Sequence, residues 1–190
     1  VYSAAVERAL AVAVAAHADQ RRKGNGDPYA VHPLHMALEL ARLGLDEVTV
    51  QAALLHDVVE DCEGWDRSGI EHAFGREVAA VVAELTEDKA QSWEQRKRAA
   101  LEHVPHLSPR ALVVKAADVL HNLVSLERRL AECGDVPIVW NVFRGGRTRT
   151  LEQHRRMVAL LLPRAPAPLA EALAGTLERV LAACGIATTT

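Results

Sequence analysis

Between short polar punctuations, apolar positions recur at intervals of three and four along nearly the whole chain, the pattern of helices that bury one face. The spacing predicts helices over 3–19, 33–43, 46–60, 68–74, 76–85, 92–103, 109–131, 149–162 and 167–184. Cap signals mark several starts. Ser68-Gly-Ile-Glu71, Ser92-Trp-Glu-Gln95 and Thr150-Leu-Glu-Gln153 have the capping-box form, and Ser108-Pro109 reads as an N-cap followed by a first-turn proline. Two stretches break the periodicity: the turn-rich Lys23-Gly-Asn-Gly-Asp-Pro28, and 133–148 with Gly134, Pro137, Gly145 and Gly146. No window alternates as a strand does, so the expected fold is all-α, a bundle of about nine helices.

Composition agrees. Of 190 residues, 49% are hydrophobic but only 4% aromatic, and alanine is abundant, which suits closely packed helices better than a β-sandwich. The length suits a single domain, 1–190, with 163–190 as a helical tail. A net charge of −3 speaks against a dedicated DNA binder. No apolar run reaches the ~20 residues of a membrane span. The apolar run Leu10–Ala16 follows Glu7-Arg8 and lacks a cleavage site, so it reads as helix rather than signal peptide. Cys62, Cys133 and Cys184 form no pairs or CxxC motif, which points to a reducing, cytoplasmic setting.

The chemistry concentrates at Ala52-Ala-Leu-Leu-His56-Asp57-Val-Val-Glu60-Asp61. On a continuous helix His56 and Glu60 share one face and Asp57 and Asp61 an adjacent one. Carboxylates at a helix C-terminus oppose its dipole and repel one another unless a cation neutralises them. A divalent ion explains the cluster, but one helix cannot surround it. Two other places offer further ligands: Tyr29-Ala-Val-His32-Pro33, and the apolar helix interrupted at Lys115-Ala-Ala-Asp118-Val-Leu-His121-Asn122. With His56 and Asp57 they supply a His, His, Asp, Asp set.

That H…HD…D order in a helical chain is similar to the HD superfamily of metal-dependent phosphohydrolases. The fuller set is Arg21-Arg22-Lys23, Pro28-Tyr29-Ala-Val-His32-Pro33, His56-Asp57-Val-Val-Glu60-Asp61 and Lys115-Ala-Ala-Asp118-Val-Leu-His121-Asn122-Leu123. It resembles the hydrolase domain of RelA/SpoT-type proteins, especially the stand-alone small alarmone hydrolases, over most of 3–162. The resemblance implies a fold and an activity. His32, His56, Asp57 and Asp118 would hold one Mn²⁺. Glu60 would activate the attacking water, Asp61 would support it, and Asn122 would position substrate or water. Arg22, Lys23 and Tyr29 would hold the nucleotide, with Arg149 a candidate for distal phosphates beside Lys97, Arg98 and Arg147. The implied reaction is hydrolysis of the 3′-pyrophosphate of (p)ppGpp to GDP or GTP and pyrophosphate, the chemistry of the stringent response, with no DNA or membrane partner.

Val124, Ser125 and Trp93 depart from the family pattern, which leaves the 5′-phosphate contacts and the preference among related nucleotides open. The alternatives are a related substrate, namely (p)ppApp, an RNA 3′-end or the NADPH 2′-phosphate, or a non-catalytic alarmone-binding regulator. An antitoxin role through hydrolysis is compatible with the main reading. If the chain is close to full length, it has no room for alarmone synthesis. Among the other histidines, His17 reads as a pocket residue and His35 as a weak HxxH partner of His32. His121 points about 100° away from Asn122. His72, His103, His106 and His154 read as surface or capping residues.

Overall fold

The structure, a computed structural model, describes residues 3–24 and 26–187. Asn25, in the loop predicted over 23–28, lies outside them. The described residues form eleven α-helices and one 3₁₀ turn: α1 Ala4–Ala16, α2 Val31–Arg42, α3 Glu47–Leu55, α4 Val58–Asp61, α5 Arg67–Phe74, α6 Arg76–Leu85, α7 Trp93–His103, the turn Val104–His106, α8 Pro109–Cys133, α9 Pro137–Trp140, α10 Gly146–Leu161 and α11 Ala167–Ala183. No strand occurs among them; Arg21 and Pro28 make one isolated bridge.

α3 is buried on every side from Thr49 to Leu55, as its mostly apolar sequence favours, with Gln51 Nε2 donating to the Glu47 carbonyl. It packs against α1, α2, α6 and α8. α8 is the second axis, contacting α2, α3, α6, α10 and α11. Leu54, Leu55, Leu112 and Leu123 are among the fully buried side chains here; truncation of one to alanine typically costs about 2–5 kcal/mol.

Five starts carry side-chain caps: Ser3, Asp46, Asp66, Ser92 and Ser108 each accept a backbone N–H from three residues on. Ser92 and Gln95 form the expected capping box. The other two predicted boxes do not form. Asp66 rather than Ser68 caps α5, and Thr150 is buried inside α10, which starts at Gly146. The stretch 133–148 is also less irregular than expected. Pro137, suited to a first helical turn, opens α9 there, and Trp140 Nε1 donates to Asp135 Oδ1 at 2.6 Å.

The main correction concerns 46–60, which is not one helix. α3 ends at Leu55, and α4 resumes at Val58. The His56 Nδ1–H donates to the Ala53 carbonyl at 2.9 Å. In an unbroken helix the Asp57 N–H would claim that acceptor. Asp57 itself sits at φ −94°, ψ −8°, the sparsely populated region between the helical and extended basins. The four polar residues therefore fan out instead of sharing helix faces. With the single turns α4 and α9 counted, eleven helices replace about nine.

Candidate metal centre and active site

Three segments converge. His32 stands in the first turn of α2, His56 and Asp57 at the break between α3 and α4, and Asp118 in the middle of α8. One ligand atom each from His32, His56 and Asp118 lie within 4.8 Å of one another, a group able to hold a divalent metal. His32 Nε2 is 3.4 Å from Asp118 Oδ1 and 3.8 Å from Asp57 Oδ2. His56 Nε2 is 3.1 Å from Asp57 Oδ2. All four sequence-predicted ligands are thus brought together.

The imidazoles are oriented from behind. With His56 Nδ1 donating to Ala53 O, its Nε2 faces the cluster. His32 Nδ1 lies 2.9 Å from His121 Nδ1. Burial, reinforced by the His32, Arg22 and His35 charges, holds His121 down to about 3, so the two rings share one proton between their Nδ1 atoms, and the tautomer with that proton on His32 fits ligation. His32 Nε2 is then free to ligate. Burial opposes protonation of His56, but the Asp57 and Asp118 carboxylates outweigh it and push the imidazole up to about 9. Burial likewise opposes ionisation of Asp57 and Asp118, and the adjacent cationic groups hold both well below the usual carboxylate range. The donor set, two nitrogens and the Asp118 carboxylate in one group with the Asp57 carboxylate beside both imidazoles, fits a borderline divalent ion.

Both carboxylates have further partners. Tyr29 Oη donates to Asp57 Oδ2 at 2.6 Å, and burial and the Asp57 charge keep it a phenol. Its ring packs on His17, 4.7 Å between centroids. His17 in turn pairs through Nδ1 with Gln20 Oε1 at 2.8 Å, and Gln20 Nε2 donates to the Asp61 carbonyl at 2.7 Å. Asp118 Oδ1 accepts from Asn122 Nδ2 at 2.6 Å, and Asp118 Oδ2 from Lys115 Nζ at 2.8 Å. Arg22 lies over the Tyr29 ring, 5.7 Å from its centroid, and its Nη2 donates to Asn122 Oδ1 at 2.9 Å.

The acidic pair turns toward the α6–α7 connection. Glu60 Oε2 accepts the Glu87 N–H at 3.1 Å, and Arg96 Nη1 stands 3.6 Å from Glu60 Oε1. Burial raises the Glu60 carboxyl, and the Glu87, Asp57 and Asp61 charges add to it. Asp61 pairs with Lys89.

The loop is shaped to present Arg22, whose N–H donates to the Asp27 carbonyl at 2.8 Å. Gly24 sits at φ +105°, and a Cβ there would lie 1.4 Å from Arg129 Nη1. Lys23 is exposed on this loop. Arg149 is not brought to the cluster. It pairs with Glu94 at 2.8 Å and lies over the Trp93 ring, 5.2 Å from its centroid. Lys97 pairs with Glu87 and Arg147 with Asp135.

Sequence reasoning missed four neighbours. His121 and Lys115 lie three residues either side of Asp118, the spacing that puts helix side chains on one face; comparing His121 only with adjacent Asn122 hid this. Arg96 and Glu87 carried no local signal. His154 is a correction: it is half-buried rather than a surface or capping residue, and burial, opposed by the Asp118 charge and helped by Lys97 and Lys115, pulls it down to about 4. His72, His103 and His106 are exposed, as expected. Cys62 Sγ lies 3.3 Å from His17 Nδ1. Burial and the Asp61 charge push its thiol up, so it is no activated nucleophile.

Comparison with known proteins bears on this arrangement. Residues 9–138 match the HD domain family. A guanosine-3′,5′-bis(diphosphate) 3′-pyrophosphohydrolase, MESH1 of Xenopus tropicalis, is 45% identical over 115 residues, which are 59% of this chain and 64% of that protein. The human protein of the same name is 44% identical over the same length and the same shares. The chain thus spans under two thirds of these relatives. Among solved structures, a metazoan ortholog of SpoT described as hydrolysing ppGpp superposes with a TM-score of 0.81 at 30% identity, covering 98% of this chain and 99% of that one. The lmo0812 protein of Listeria monocytogenes gives 0.71 at 33% identity, over 82% and 99%.

Proposed function

The chain belongs to the HD domain family, and from that premise we propose that it is a Mn²⁺-dependent hydrolase of (p)ppGpp, releasing the 3′-pyrophosphate and leaving GDP or GTP. The observation that carries this reading is the continuity between the basic loop and the ligand set: Arg22 bonds Asn122, and Asn122 bonds Asp118. A nucleotide gripped at Arg22 therefore has its phosphates beside the cluster. The similarity to proteins named for this activity supports it.

In this reading His32, His56, Asp57 and Asp118 hold the ion. When bound, it supplies charge stabilisation at a phosphoryl oxygen and acidifies a water. The rest is the work of the chain. Glu60, kept basic enough by burial and neighbouring charge, takes the proton of the attacking water. The water oxygen adds to the phosphorus attached at the ribose 3′ oxygen, that P–O bond breaks, and the ribose oxygen leaves with a proton from solvent, to which Glu60 returns the one it took. Asp61 steadies the Lys89 side of the site. Arg22 offers its guanidinium face and charge to the nucleotide, Lys23 adds charge, and Tyr29 forms the wall between base and ligands. We read 1–190 as a single unit of this kind, acting in the cytoplasm. Among the described residues, no helix is long and apolar enough to cross a membrane.

The test is pyrophosphate release from ppGpp by the purified protein with Mn²⁺, run beside (p)ppApp, an RNA 3′-end and NADPH. Release from ppGpp that vanishes in Asp57→Ala is expected. No release, or turnover only of another member of the panel, overturns the assignment.

A further inference from the structure

Asp118 is the more constrained of the two carboxylates. Its Oδ1 faces the cluster, 3.4 Å from His32 Nε2. Its Oδ2 is taken by Lys115 Nζ at 2.8 Å. Lys115 stands on the same helix, one turn earlier, between buried Val114 and buried Ala116, so the pairing rests on a rigid element rather than a loop. An ammonium bonded to a ligand carboxylate repels the ion that carboxylate is to bind. Metal affinity therefore does not explain its presence. Nor does neutralisation of Asp118, which a bound ion would accomplish alone.

Geometry offers a reason. An aspartate with both oxygens available can chelate; one with a cationic ammonium on Oδ2 is driven to give the ion Oδ1, because that charge repels the ion from Oδ2. We propose that Lys115 is a positioning residue that restricts Asp118 to one-oxygen ligation and so keeps a coordination position open for the reacting water or a substrate oxygen. The inference rests on the metal-hydrolase reading. With His32, His56, Asp57 and Asp118 giving one atom each, a six-coordinate ion keeps two positions for water and substrate. A chelating Asp118 leaves one, and the two reactants then compete for it. Asn122, which donates to Oδ1, is neutral and leaves that oxygen open to the ion; Lys115 brings the positive charge that repels an ion from Oδ2.

The experiment titrates Mn²⁺ into the metal-free wild type, Lys115→Met and Lys115→Arg, and reads the water-proton relaxation enhancement, which counts waters directly on the ion. Lys115→Met should lose about half of the wild-type enhancement, one water of two, while binding Mn²⁺ as tightly as wild type or more tightly. Its kcat should fall roughly 10- to 100-fold, as for other partners of metal ligands, with KM within about threefold. Lys115→Arg, whose guanidinium can still donate to Oδ2, should recover most of the enhancement. Wild-type enhancement in Lys115→Met overturns the proposal, as does weakened Mn²⁺ binding in it. If Lys115→Met does not fold by circular dichroism, the same comparison is made with Lys115→Gln. A wild type that binds no Mn²⁺ overturns the metal-hydrolase reading itself, which separates the two failures.

Discussion

Arg22 and Asn122 stand 100 residues apart in the chain, yet Arg22 Nη2 donates to Asn122 Oδ1 at 2.9 Å. The contact joins a surface loop to the helix that carries Asp118. Removing the guanidinium frees the Asn122 amide and, on the proposed function, takes away a substrate contact. A hydrogen bond to a charged group is worth about 1.5–3 kcal/mol, so Arg22→Ala should lower kcat/KM roughly 10- to 150-fold. Mn²⁺ content by elemental analysis should stay near wild type, because none of the four ligands is touched. A variant that loses its metal would instead make Arg22 part of the metal site.

Metal should act as a stabilising ligand. At a free concentration about 100 times Kd, an ion that binds only the folded state adds about 2.7 kcal/mol, or roughly 5–11 °C in Tm for a chain of this size. Chelation should reverse the shift, and Asp57→Ala should abolish it. An unchanged Tm on adding Mn²⁺ to the metal-free protein would count against ion binding by the His32–His56–Asp57–Asp118 set.

Glu60 sets an acid limit. Burial and neighbouring carboxylates raise it above the ordinary glutamate value. A general base works only when ionised, so activity should fall as the pH drops through that raised value, above the usual ~4.3. The pH profile of kcat/KM should show this acid limb in wild type, and Glu60→Gln should lack both the limb and most of the activity. Persistence of the same limb in Glu60→Gln would assign it to another group.

Gly24 is the position where the loop tolerates no side chain. Its φ of +105° and the Arg129 guanidinium beneath it both exclude a Cβ. Gly24→Ala should displace the loop and raise KM for the nucleotide, with strain of about 1–3 kcal/mol. Mn²⁺ binding should be unchanged. Equal losses in nucleotide and Mn²⁺ affinity would show that the loop and the metal site are not separable.

Asp46 caps the helix that leads to His56, accepting from the Thr49 N–H at 2.8 Å. Against the cost of burial, the Thr49 N–H and hydroxyl and the Arg110 guanidinium lower its carboxyl. A carboxylate lowered by folding stabilises the native state above its unfolded value, near pH ~3.9, and that stability is lost as the pH falls through the folded value. Asp46→Ala should therefore cost about 1 kcal/mol in denaturant unfolding at neutral pH. The difference from wild type should shrink below pH ~3.9; a constant gap would attribute the cost to something other than the charged cap.

Much of the molecule is legible in the order of residues. Nearly every long helix reads from its own periodicity, and the Ser92 and Ser108 caps from their neighbours. What failed was local reasoning where tertiary contacts decide. Ser68 looked like a cap but lost to Asp66. The 46–60 pattern gave no sign of a break, because the His56 ring takes the Ala53 carbonyl and residues remote in sequence reward the kink. Arg149 was a candidate for distal phosphates only because it is a basic residue shortly after the Gly145-Gly146 pair. The fold puts Arg22 on Asn122 and stacks Arg149 on Trp93.

The sequence by itself determined the helical class, the two histidines and two aspartates, and the acidic pair, since periodicity and residue chemistry are properties of short stretches. Only the tertiary structure decided which atoms face the common point. It turned His56 Nε2 inward, set His121 behind His32, left Asp118 Oδ1 facing the cluster with Oδ2 held by Lys115, and aimed Glu60 at Glu87. The His32–His121 and Glu60–Glu87 contacts bring groups remote in sequence to about 3 Å, a distance fixed by how the helices pack, while the Lys115–Asp118 pair lies within α8 and packing decides only what it faces.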